Sequence, residues 1–87
     1  MAVYMVDRDL PGITPEQLGT SQRAAIDTCQ RFTGAGRDVR YIRSTFLPEE
    51  SRCMCLFEAA TRELVREVND AAQIPYTRIV EALDLAP

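Results

Sequence analysis

Apolar residues recur along this chain with two different periods. Val3 to Asp9 is extended and rich in β-branched and aromatic residues, which predicts a strand, and Leu10-Pro11-Gly12 closes it as a turn. A helix follows. Thr14 is placed to cap it, Pro15 fits the first helical position, and Gln17 completes a capping box. Leu18, Ala25, Cys29 and Phe32 fall at helical spacing on one face, with Ile26 widening the stripe, and Gly34-Ala35-Gly36 ends the segment.

Val39 to Leu47 reads as a second strand. Pro48 to Ser51 is a tight polar connection, and Arg52 to Ala59 makes a hairpin with the strand before it. Thr61 caps a second helix, Arg62 to about Ala72, with Leu64, Val68, Ala71 and Ala72 on its buried side; Pro75 stops it. Thr77 to Leu85 is a fourth strand. The order β-α-β-β-α-β predicts an α+β fold of the ferredoxin-like, split-βαβ kind: one antiparallel sheet with both helices on one face. No linker or repeat interrupts it, so residues 1–87 form one domain.

The run Cys53-Met54-Cys55-Leu56-Phe57 departs from simple alternation. Five consecutive apolar residues predict a strand covered on both sides. Two helices cover one side only, so a second copy is expected on the other, giving a dimeric α/β barrel. Opposing Leu47 to Arg52 sets a register in which Thr45 faces Met54, Ser44 faces Cys55, Arg43 faces Leu56 and Tyr41 faces Glu58. Cys53, Cys55 and Phe57 then floor the helices. The open face carries Met5, Asp7, Tyr41, Arg43, Met54, Leu56, Glu58 and Glu81 as the candidate cavity or dimer residues. Arg43 and Glu58 lie on a diagonal within reach of each other.

Composition narrows the function. The formal charge is −3 and 46% of residues are hydrophobic, with no basic run or stripe, which argues against nucleic acid. No apolar run approaches the ~20 residues of a membrane span, and the first residues lack a signal-peptide pattern, so a cytoplasmic protein that does not enter the membrane is expected. The chain has no histidine. A Ser/His/Asp or Cys/His nucleophile system is therefore impossible, and no catalytic residue set emerges. Three cysteines do not make a disulfide framework. Cys53 and Cys55, about 7 Å apart at strand rise, are read as buried thiols acting as small hydrophobes.

The segments Val39 to Phe46, Cys53 to Ala59, Val65 to Asn69, Ile74-Pro75 and Arg78 to Glu81, together with Leu10-Pro11-Gly12, resemble a family of small bacterial ferredoxin-like proteins that includes a nickel-sequestering member. Ser44, Cys55 and Pro75 fit the family pattern, while Arg43 and Val68 stand where many members carry histidine. The resemblance implies a homodimer that binds nickel or another divalent metal; in a chain without histidine, the open-face carboxylates Asp7, Glu58 and Glu81 are the candidates for ligands. Two alternatives stand beside it. One is a cofactor-free barrel enzyme or small-molecule binder with its cavity between two sheets; the other is a module that meets a partner through the open face.

Overall fold

The computed structural model describes all residues from Met1 to Pro87. Its elements are β1 (Ala2–Asp9), α1 (Pro15–Gly34), β2 (Val39–Leu47), β3 (Arg52–Ala59), α2 (Arg62–Ala72) and β4 (Arg78–Ala82). The capping box forms as expected: Thr14 Oγ1 accepts from the Gln17 backbone N–H, and Gln17 Oε1 accepts from the Thr14 N–H. Thr61 caps α2 through the Leu64 N–H. Gln73, in the left-handed region at φ 58°, ends that helix.

The strands make one antiparallel sheet in the order β2-β3-β1-β4, with both helices on one face, consistent with the ferredoxin-like expectation. Val6, Phe57, Val65 and Val68 are fully buried between the layers. At ~25 cal/mol per Å2 of apolar surface, four such side chains contribute on the order of 6–12 kcal/mol against chain entropy.

The hairpin register holds at its turn end: Leu47 faces Arg52, Thr45 faces Met54, Ser44 faces Cys55 and Arg43 faces Leu56. It then breaks. A bulge between Tyr41 and Arg43 leaves Ile42 without a partner, so Tyr41 faces Phe57 and Arg40 takes the place opposite Glu58. Tyr41 therefore lies on the helix side, its ring edge-on to Phe57 with centroids 5.5 Å apart. The last strand also differs. Val6 pairs with Ile79 and Met5 with Val80, so Ile79 is buried under the helices and Val80 is on the open face. Glu81 pairs with Tyr4 on the helix-side alternation, exposed at the sheet edge, rather than joining the open face. The strand ends at Ala82. Asp84 beyond it reaches Arg43 on the far edge strand at 3.1 Å, so the chain leaving β4 turns across the open face.

Candidate functional site

Alternation along β1 puts Tyr4, Val6 and Arg8 on one face, towards the helices. Arg8 is accordingly buried, with 2% of its surface exposed. Its Nη2 donates to Asn69 Oδ1 on α2 at 2.7 Å, its Nη1 to the Pro75 carbonyl at 3.3 Å, and its Nε to Cys55 Sγ at 3.4 Å. None of these groups is a carboxylate, and none of the ion pairs in the chain includes Arg8. A guanidinium stays protonated in proteins, and a buried charge needs a partner. Among the groups it donates to, only Cys55 can ionise to a negative charge.

Three donors converge on that sulfur. Besides Arg8, the Ser44 hydroxyl donates at 3.0 Å, and Cys53 Sγ lies 3.7 Å away. Behind Ser44 runs a relay: the Gln22 side-chain amide donates to the Tyr41 hydroxyl at 3.1 Å, and that hydroxyl donates to Ser44 Oγ at 2.5 Å. With Ser44 committed to the sulfur, every donor in the chain points towards Cys55. The hydrogen bond from Cys53, the Arg8 charge and the Ser44 hydroxyl hold the Cys55 thiol well below its ordinary titration range, against the opposing effect of burial. The same contact, with burial, pushes Cys53 up. Of the two thiols, Cys55 is therefore the one whose ionisation the surroundings favour. Burial alone raises the separate Cys29 thiol, to about 11.

Both sulfurs line a cavity of about 320 Å3 between α1 and the sheet. Its cause is legible in the helix. Between Leu18 and Ala25, α1 presents Gly19, Thr20, Ser21, Gln22, Arg23 and Ala24, with no bulky apolar side chain to fill the space. Beneath them the sheet carries Ser44, Cys53 and Cys55, which are also small. Gly19 borders the cavity, and a Cβ added there would meet nothing within 4 Å. Glycine inside a helix costs ~1 kcal/mol relative to alanine. No packing contact requires it, and it adds no side chain to the cavity wall.

The open face is organised differently. Asp7, 4% exposed, accepts from Arg52 at 2.7 Å and Arg78 at 3.3 Å, both on Oδ2. Arg52 foremost, with Arg78, holds its carboxyl below the usual carboxylate range. Asp7 Oδ1 is buried without a donor. Glu58 pairs with Arg40 at 3.2 Å, so the expected Arg43–Glu58 diagonal does not form; Arg43 turns to Asp84 instead. Met5, Met54, Leu56 and Glu58 do share this face, half-buried, together with Asp7 and Arg43. Tyr41 and Glu81 do not. The carboxylates nominated as metal ligands are kept apart: Asp7 and Glu58 are each engaged by arginine, and Glu81 is on the other alternation. Nowhere do three or more His, Cys, Asp or Glu side chains gather closely enough to hold a metal ion.

Fold and site together define a small α+β protein with two neighbouring cysteines lining a helix–sheet cavity and an uncovered sheet face. The model of the family described as "Nickel responsive protein SCO4226-like" matches residues 4–82, and the chain belongs to that family. Its fold is similar to that of a solved structure described as "Crystal structure analysis of SCO4226 from Streptomyces coelicolor A3(2)", with a TM-score of 0.81 and 23% identity, covering 98% of this chain and 100% of that one. A comparison with curated proteins finds no match. No helix is long and apolar enough to cross a membrane.

Alternation already carried the signal for the missed residues. Once Tyr4 and Val6 are assigned to the helix side, Arg8 follows them there, directly opposite Cys53.

Proposed function

We propose that this protein is a small homodimeric metal-binding protein acting in a nickel-linked response, and that it takes its metal at Cys53 and Cys55 rather than at the carboxylates of the open face. The observation that carries this reading is the convergence of Arg8, Ser44 and Cys53 on Cys55 Sγ at the floor of a cavity. Thiolate is the ligand form of cysteine, and a second thiol 3.7 Å away makes a two-sulfur bite. The link to nickel comes from the family description. One chain offers no nitrogen side chain of the imidazole type, so a four-donor nickel site would have to complete itself from outside these two sulfurs.

Dimerisation has separate support. Val3, Met5, Met54, Leu56 and Val80 form an apolar face with no helix over it, and Leu83 and Leu85 of the crossing tail are 81% and 84% exposed. Such a face calls for a cover. Its charges are already paired internally, Arg40 with Glu58 and Arg43 with Asp84, so a second copy meets no uncompensated like charge across a two-fold axis. Asp7 Oδ1 remains free to accept from the partner.

Calorimetry and thiol footprinting on untagged protein test the metal assignment. Metal uptake is expected to protect Cys55 from alkylation and to vanish with Cys53→Ala. Uptake that persists there but disappears in Glu58→Gln would move the site to the open face. For the dimer, Leu56→Arg is expected to halve the mass measured by light scattering; an unchanged mass would reject that interface.

A further inference from the structure

Resting on the assignment of the metal to the thiol pair, we propose that the ion taken is monovalent and thiophilic, copper(I) in chemical class, bridging Cys53 Sγ and Cys55 Sγ in two-coordinate fashion. Three observations select this class over a divalent ion.

The first is the donor count. Two cysteine sulfurs stand 3.7 Å apart, and no third His, Cys, Asp or Glu side chain joins them. Two-coordination satisfies a cuprous ion, whereas nickel(II) and zinc(II) call for about four donors. Arg8, Ser44 and Tyr41 occupy the surrounding space, and the guanidinium among them is a donor with no lone pair to offer a metal.

The second is charge. Arg8 is buried against Cys55 at 3.4 Å without a carboxylate. A monovalent ion between two thiolates carries one net negative charge, which Arg8 balances. A divalent ion between the same sulfurs is neutral and leaves the guanidinium uncompensated in a buried site, which desolvation penalises. The third is the surroundings: Gly19 and both sulfurs line one cavity, and most residues lining it are apolar, a soft ion's surroundings.

The binding step balances simply. Copper(I) forms bonds to Cys53 Sγ and Cys55 Sγ, its acetonitrile ligands leave, and whatever thiol protons the pair holds pass to solvent. No electron is transferred. The Ser44 hydroxyl keeps its hydrogen bond to Cys55, and Arg8 acts as a positioning residue through charge.

The test is a titration of untagged protein with a cuprous acetonitrile salt against a colorimetric copper(I) chelator, without oxygen, with nickel(II) and zinc(II) run in parallel. One copper(I) per chain is expected, with X-ray absorption showing a sulfur-only shell of two. Arg8→Met is expected to weaken uptake about 10–100-fold, the range for loss of an outer partner; Cys29→Ala is expected to leave it unchanged. Because Cys53→Ala and Cys55→Ala touch the core, the absorption spectrum of the unaltered protein serves as the independent arm. A shell of nitrogen or oxygen ligands, or copper uptake undiminished in the double variant, overturns the proposal. Nickel or zinc held by the two sulfurs with no copper(I) binding would overturn the ion class while leaving the thiol site standing. No metal at the sulfurs would bring down both.

Discussion

The two faces of the sheet handle buried charge in opposite ways. On the open face each buried or half-buried acid meets an arginine: Asp7 with Arg52 and Arg78, Glu58 with Arg40, and Asp84 with Arg43. Those pairs are closed and chemically quiet, and they leave an apolar surface suited to a second copy. On the helix face a single arginine is buried with no acid at all, and it donates to a cysteine sulfur instead. Paired carboxylates make a surface neutral. A thiol in contact with a cation, a hydroxyl and a second thiol has its ionised, ligand form favoured. The contrast is what the proposed function rests on, with metal taken beneath the helices and a second copy met on the opposite side.

The largest effect is expected from removing the cation. Arg8→Ala strips Asn69 and the Pro75 carbonyl of their donors and should cost about 3 kcal/mol, by analogy with breaking other buried charge contacts. For a domain of this length that lowers Tm by roughly 10–20 °C. Differential scanning calorimetry checks it, and a change within error would mean that the guanidinium is not the tie between β1 and α2. The milder Arg8→Met keeps the volume and separates the charge from the packing.

Asp7→Asn probes the other face and should cost less, about 2 kcal/mol for a charge-assisted hydrogen bond. Its pH dependence has a definite sign. The folded carboxyl titrates below its unfolded value, so its stabilisation is complete above about pH 4 and is lost as pH falls through the folded value. Urea midpoints measured between neutral and strongly acid pH should therefore converge for the two proteins. A gap that widens in acid would contradict the pairing.

Gly19→Ala is the smallest change. It should raise stability by up to ~1 kcal/mol through helix propensity, since the new methyl meets nothing. A loss of stability would show that the glycine serves the fold rather than the cavity.

Much of this architecture is written in local signals. The capping box at Thr14, the cap at Thr61 and the turn between Leu47 and Arg52 each depend on residues a few positions apart, and all three form as read. The errors arise where one residue shifts everything after it. The unpaired Ile42 carries Tyr41 to the helix side, and the opposite choice of alternation on β4 exchanges Ile79 for Val80 and takes Glu81 off the open face. The site escaped for another reason. Composition assigns an arginine to solvent and a strand cysteine to the core as a hydrophobe. Each assignment is sound for the residue alone. The two groups lie 47 positions apart and become a charge pair only when β1 and β3 are laid side by side.

The claim that Cys55 carries a thiolate is tested most directly by ultraviolet thiolate absorbance followed from neutral to acid pH. The expected result is about one thiolate per chain at pH 7, lost only on acidification and absent at pH 7 in Arg8→Met. Absorbance that develops only near pH 8.5, as for an ordinary thiol, would contradict the account.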